Sequence, residues 1–266
     1  MILTPPAATV VPRFDVITLF EPMFEALTAH GITGRAGQRA LYTLKAWNPR
    51  TFTRDAHRTV DDRPYGGGPG MVMLAEPLLH TVAAIQQEAP VSALIVLSPQ
   101  GERVDQRVLL ELAQLPAITF ICGRYEAIDQ RALDILQPRE LSIGDFVVSG
   151  GELPAMLILD ALIRRLPGAV NTSDSIKQDS FENGLLDCPH YSRPEQLFSD
   201  AGVAGVPPVL LSGHHERIDQ WRREQSLKIT LQRRPDLIDH AFARLTTGDR
   251  AYLMGLGYNR RLSSSD

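Results

Sequence analysis

An α/β fold built on a mostly parallel sheet is the class this sequence predicts, and two observations carry it. Short apolar runs rich in β-branched residues alternate with segments whose apolar side chains recur at helical spacing. Three of those runs lead directly into Gly- or Pro-marked loops, at 97–101, 122–126 and 143–151. Neighbouring parallel strands would gather the three loops at one carboxyl edge, where open α/β sheets bind their ligands. None of the loops reads G-x-G-x-x-G or G-x-x-x-x-G-K-[ST], so the usual dinucleotide and triphosphate readings do not apply. A cofactor pocket of another kind is expected.

Taken in order, residues 14–19, 91–97, 117–122 and 139–143 read as strands. Segments 22–31 and 76–88 read as helices, each with a proline in the first turn, which tolerates one. Segment 103–115 places Val104, Val108, Leu109, Leu112 and Leu115 at helical spacing, and 126–136 does so with Ile128, Leu133, Ile135 and Leu136. Gly150 and Gly151 open a strongly apolar helix that runs to about 166, where Pro167-Gly168 stops it. Beyond it, 171–179 is polar and reads as a linker. A connector carrying Pro189, Pro194, Pro207 and Pro208 leads to a helical region. Its clearest helix follows Pro235, with Leu237, Ile238, Ala241, Phe242 and Leu245 on one face. The expected organisation is an α/β domain over 13–170, a flexible linker over 171–184 and a small, mainly helical domain over 185–266.

A chain of 266 residues with 44% hydrophobic and 22% charged residues suits a soluble globular protein. No apolar run approaches the roughly eighteen residues of a membrane helix. Residues 1–12 lack the basic start and cleavage site of a signal peptide and read as a loose tail. Cys122 and Cys188 sit in no C-x-x-C, so neither a disulfide framework nor a zinc site is implied, and a cytoplasmic location is expected. The net charge of −4 is uneven. From Gly213 to Asp266 ten Lys/Arg face seven Asp/Glu, which leaves seventeen against twenty-four in the rest. A mildly basic C-terminal part fits an RNA partner or a solvated helical surface.

The glycine-rich Tyr65–Met71 lacks the Lys and Ser/Thr of a P-loop, and reads as a loop admitting a substrate to the backbone or as a surface turn. Phe146, Val147 and Val148 interrupt the 144–151 loop with side chains that must be buried somewhere, which suits an apolar slot for a flat ring or a loop tucked on the core. On its own, Asp179 is a linker carboxylate. Arg164 and Arg165 suit the C-terminal dipole of their helix. His190, His214 and His215 show no metal spacing with a carboxylate, and Cys188 has no positioned base.

In order along the chain, these strings closely resemble the bacterial tRNA (guanine-N1)-methyltransferases that act at position 37. The matching residues are 57–71, 97–101, 122–126, 142–155, Asp179-Ser180-Phe181, 184–191, 207–213 and 233–235. The resemblance runs from Phe14 to about Leu237. It implies a SPOUT-type fold whose three loops form a deep trefoil knot, a feature otherwise nearly absent from proteins. It also implies a homodimer with active sites at the interface, S-adenosylmethionine as methyl donor, tRNA with guanosine at position 37 as substrate, and Mg²⁺.

Ser98, Pro99, Gly123, Glu126, Ile143, Gly144, Asp145, Phe146, Val147, Val148 and Gly151 would hold the donor. Asp179 would take the guanine N1 proton, and Arg164 would stabilise charge developing at O6. The basic C-terminal part would grip the tRNA backbone. Phe146 stands where the family pattern has tyrosine. Two further readings are a knotted methyltransferase acting on a ribose 2′-oxygen and a non-enzymatic RNA-binding protein.

Overall fold

The computed structural model describes residues 11–170, 176, 178–199 and 202–259. The expectations for the tail at 1–10 and for the linker at 171–175 and 177 lie outside the described residues. The chain divides into two compact units, Met1–Ser173 and Asp174–Asp266.

In the first unit the strands are β1 (Arg13–Ile17), β2 (Thr43–Trp47), β3 (Asp61–Asp62), β4 (Val72–Met73), β5 (Ala93–Arg103), β6 (Ala117–Ile121), β7 (Ala127–Ile128) and β8 (Arg139–Ser142). The helices are α1 (Glu25–Thr28), α2 (Gly31–Gln38), α3 (Ala75–Glu88), α4 (Gln106–Leu112), α5 (Gln130–Leu136) and α6 (Glu152–Ile163). Five strands form one parallel sheet in the order β2-β1-β6-β5-β8. Helices cover both faces, so the central β6 is buried at every position and reads as a continuous apolar run. Successive side chains point to opposite faces. Phe120 therefore joins Phe14, Ile158 and Leu162 on the α6 side, while Ile121 joins Leu78, Val82 and Ile85 on the α3 side.

Four sequence expectations need correction. The 97–101 segment is not a loop after a strand but a bulge inside β5: Leu97 and Glu102 both face Leu141, with the intervening residues looped out. A glycine is required there because a Cβ on Gly101 would overlap the Glu140–Leu141 backbone. The expected 22–31 helix is a 3-10 turn (Glu21–Phe24) followed by α1, and Gly31 at φ +67° starts the separate α2. Segment 103–115 is helical only as α4, because Asp105 caps it by accepting from the Val108 N–H at 3.0 Å. In 126–136, Ala127 and Ile128 pair with β4 before Asp129 caps α5. The edge strand β2 alternates exposed Thr43 and Lys45 with partly buried Leu44 and Ala46 but is only five residues long, and β3, β4 and β7 have two residues each, too few to show a pattern.

The second unit holds the antiparallel pair β9 (Gln196–Ser199) and β10 (Gly202–Gly205), then α7 (Pro208–Leu211), α8 (His215–Arg233), α9 (Pro235–Ala241) and α10 (Thr247–Gly255). Leu185, Leu227, Ile238, Ala241, Leu245 and Leu253 form its core. The 19-residue α8 is too polar to show a strong apolar stripe, and it enters that core through Leu227, with Leu231 packed at the edge. Thr246 and Asp249 make a reciprocal capping box at the start of α10. Arg223 of α8 places two hydrogen bonds on the Asp249 carboxylate, at 3.0 and 2.9 Å.

Burial would raise the Asp249 carboxyl, but Arg223 and the Thr246 donors together hold it below the usual carboxylate range. Its contribution is therefore complete above the unfolded value of about 3.9 and is lost as pH falls through the lowered folded value. Asp249→Asn is expected to cost about 2–3 kcal/mol at pH 7 and to flatten the acid limb of the stability curve. Urea unfolding across pH 2–7 checks this. A variant that unfolds with the wild-type midpoint and acid limb would remove Asp249 from the framework.

Candidate active site

A cavity of about 420 Å³ opens at the carboxyl ends of β5, β6 and β8. Its volume falls within the roughly 300–1,000 Å³ of small-molecule sites. The three segments marked in the sequence build it: the β5 bulge with Ser98 and Pro99, the turn with Gly123 and Glu126, and the loop from Ile143 to Gly151. Ten of the eleven residues expected to hold the donor line it; Asp145 does not. Phe146 and Val147 are not tucked on the core, and Val147 is 83% exposed. The loop therefore offers apolar surface and backbone amide groups to the same space. The Gly151 N–H donates to the Gly123 carbonyl at 2.9 Å, joining two of the walls. A Cβ on Gly151 would lie 2.6 Å from Cys122 Cα, so only glycine permits this approach.

One group of residues was missed in the sequence. Glu152, the first residue of α6, is 0% exposed and charged. Burying a carboxylate is costly unless it is paired. Here Arg124 Nε donates to one oxygen and Thr18 Oγ1 to the other, each at 2.8 Å. Arg124 Nη1 also donates to the Ser149 carbonyl at 3.0 Å, and its guanidinium lies over the Phe20 ring. One arginine thus pins the 122–126 turn to the 143–151 loop. The clue was the charged pair within G-R-Y-E and G-G-E-L, whose partners lie far apart along the chain.

Burial first, and the Glu152 carboxylate second, push the Cys122 thiol well above its ordinary range, so it stays protonated. Burial and then Asp61 raise the Tyr125 hydroxyl. The glycine-rich 65–71 segment abuts this cavity: the Glu126 N–H donates to the Met71 carbonyl at 2.9 Å. Tyr65 at its start is almost fully exposed.

Arg164 caps the C-terminus of α6 in the first unit. Asp179 belongs to the second unit, where it lines a hollow of about 190 Å³ with Asn183, Asp187, Asp219, Arg222 and Arg223. Its segment is held locally. The Asp187 N–H donates to Ser180 Oγ at 2.9 Å, the Phe181 N–H to the Leu185 carbonyl at 2.7 Å, and the Leu186 N–H to Thr230 Oγ1 at 2.9 Å.

His190 is exposed at the surface, but the expectation that it has no metal spacing with a carboxylate needs correction. Its Nε2 lies 2.8 Å from Asp187 Oδ2, and Asp187, Cys188 and His190 bring their donor atoms within 4.8 Å of one another. The signal lay in D-C-P-H, whose first and fourth side chains meet. Burial, then Asp187, raises the Cys188 thiol.

Among known proteins, residues 12–240 match the family described as tRNA (Guanine-1)-methyltransferase TrmD. A tRNA (guanine-N(1)-)-methyltransferase of Ralstonia nicotianae is 58% identical over 231 residues, 86% of this chain and 87% of that protein. That of Aromatoleum aromaticum is 57% identical over 240 residues, 88% and 89% of the two chains. That of Thiobacillus denitrificans is 54% identical over 233 residues, 86% and 97%. A family match across most of the chain and identities above half leave one assignment: this chain belongs to the tRNA (Guanine-1)-methyltransferase TrmD family.

Proposed function

We propose that this protein transfers a methyl group from S-adenosylmethionine to N1 of guanosine at position 37 of tRNA, next to the anticodon. The observation that carries the reading is the convergence of the three marked segments on one cavity in a chain of this family. The cavity fits the donor in kind: Gly123, Gly144, Gly150 and Gly151 leave backbone amide groups open in two of its three walls, Phe146 and Val147 give an apolar flank, and Gly151 closes on the Cys122 backbone. Ser98, Pro99, Gly123, Glu126, the 143–148 segment and Gly151 would hold it. When bound, S-adenosylmethionine supplies an activated methyl carbon on a sulfonium.

What remains for the chain is orientation and proton chemistry. Guanine N1 is a poor nucleophile while protonated. Asp179 would accept the N1 proton from within about 3 Å, and the freed electron pair would form the N–C bond as the methyl–sulfur bond breaks and the sulfur leaves as a neutral thioether. Arg164 would stabilise the negative charge that develops at O6.

The chain folds, on this reading, as a SPOUT-type trefoil knot, which the bulge of β5 and the Gly123–Gly151 contact support. A 13–170 domain binds the donor and an 185–266 helical domain grips tRNA, with 171–184 joining them. A homodimer with active sites at its interface is supported by Leu153 and Leu157, one turn apart and more than half exposed on α6. The reading places the enzyme in the cytoplasm. Among the described residues no helix is long and apolar enough to cross a membrane. The family resemblance also implies Mg²⁺. Asp187, Cys188 and His190, the group of three donors among the described residues, do not fit it, since Mg²⁺ takes oxygen ligands. No step is routed through the metal.

Radiolabelled methyl transfer to transcripts with guanine or adenine at position 37 should label the guanine transcript alone; equal labelling rejects the assigned base. Phe146→Tyr should leave donor affinity within about threefold, because the ring is kept and a hydroxyl is added at an exposed position. A tenfold change by calorimetry would show that the 146 ring edge is more confined than this.

A further inference from the structure

The second unit contains a larger cavity that no part of the reaction above uses. It has a volume of about 470 Å³ and lies between the 189–195 segment and the helices α7 and α8. Its floor is apolar, made by Val206, Leu210, Ile218 and Trp221. Tyr191 forms one wall, inclined at 55° to the Trp221 ring with centroids 6.2 Å apart, and is 48% exposed. Polar groups confine themselves to the lining's other members, chiefly Arg193, Arg222 and Glu195.

Those two arginines differ from their neighbours. Arg223 and Arg234 each spend two hydrogen bonds on a carboxylate, Asp249 and Asp236. Arg222 has only a loose exposed pair with Asp219 at 3.6 Å. Arg193 has no ion pair among the described residues. Arg222 also lines the hollow that contains Asp179, so the two cavities adjoin across one guanidinium.

An aromatic wall over an apolar floor, with cations and a carboxylate around it, matches a nucleotide better than either half alone. A base stacks on an aromatic face. A phosphate accepts from guanidinium groups in a fork geometry. A carboxylate accepts from a base N–H. A free inorganic anion would leave the apolar floor unused, and an apolar metabolite would leave the two cations unused. Consecutive nucleotides are joined by a single phosphate, and a single arginine separates the two hollows.

We propose that this cavity takes an unpaired nucleotide of the tRNA adjacent to the one methylated. Its base lies against Tyr191, the phosphate between the two nucleotides lies near Arg222, and the phosphate on the nucleotide's other side lies near Arg193. The proposal rests on the reading of tRNA as substrate and of Asp179 as the base. It makes Tyr191 and Arg193 substrate-binding residues that do not touch the methyl donor.

Steady-state kinetics of the full-length enzyme on tRNA transcript, with S-adenosylmethionine saturating, tests it in three variants. Tyr191→Leu should raise KM for tRNA about tenfold, while kcat, donor affinity and melting temperature stay near wild type. Tyr191→Phe, which keeps the ring, should restore KM to within about twofold. Arg193→Gln, at an exposed position, should reduce the slope of log affinity against log salt by about one. Trp221 fluorescence should change on titration with an anticodon stem-loop RNA, and the change should vanish in Trp221→Phe.

Wild-type KM in Tyr191→Leu, or an unchanged salt slope in Arg193→Gln, overturns the proposal. If Tyr191→Leu does not fold, Arg193→Gln and the fluorescence titration decide. A wild-type enzyme that methylates no tRNA would instead reject the functional reading itself, so the two failures are distinguishable.

Discussion

Asp179→Ala is expected to lower methyl transfer to tRNA by about 10²–10⁴-fold, the usual worth of a positioned general base. Donor affinity should stay within about twofold, because Asp179 lines a hollow in the second unit while the donor cavity is built entirely from the first. The substitution should be local. The surrounding turn is fixed by Ser180 Oγ, by the Phe181–Leu185 backbone bond and by Thr230 on α8, none of which uses the Asp179 side chain. Single-turnover rates with saturating donor and tRNA, alongside calorimetric titration of the donor, separate chemistry from binding. Near-normal turnover in Asp179→Ala would remove it as the proton acceptor. Arg164→Ala should also lower the rate, by about 10²–10³-fold, if it faces the developing charge.

The second large effect concerns the buried pair behind the donor cavity. Arg124→Met should leave the Glu152 carboxylate, which is without solvent access, with Thr18 as its one hydrogen-bond donor among the described residues, and cost about 3–5 kcal/mol. Glu152→Leu should strand the guanidinium with similar effect. The double variant should recover part of the loss, because removing both charges ends the desolvation penalty, giving a coupling of about 1–3 kcal/mol. Donor affinity should behave differently. It should fall at least tenfold in Arg124→Met and stay equally low in the double variant, since the bond from Arg124 to the Ser149 carbonyl is gone in both. Urea unfolding of all four proteins, with donor titration on those that fold, measures both quantities. Additive stability losses, or a double variant with wild-type donor affinity, would contradict the clamp.

The parts legible in the sequence were those that obey local rules. The buried central strand β6, the amphipathic α3 and the glycines of the three segments all announce themselves by composition or spacing. The bulge in β5 did not, because Ser98-Pro99-Gln100-Gly101 has the composition of a turn, and only pairing on both sides of it with Leu141 keeps it in the sheet. The long helix α8 was unannounced for the opposite reason: a small unit buries little of it, so its polar faces dominate the pattern. Arg124, Glu152 and Thr18 are linked over 28 and 134 residues, a relation that spacing cannot carry. The Asp187–His190 contact spans only four residues, but it forms in irregular backbone, where no spacing rule says which side chains meet. Asp179 illustrates a further limit. Its residue type fits a base, yet its location in a polar segment gave no reason to single it out before the family resemblance did.

The central claim is the atom methylated. Mass spectrometry of nuclease-digested tRNA, after reaction with purified enzyme and isotopically labelled S-adenosylmethionine, identifies both the nucleotide and the modified base. The account predicts label in 1-methylguanosine, in the fragment containing position 37 and in no other. Label in a ribose-methylated nucleotide, or at a guanosine elsewhere in the tRNA, would contradict it.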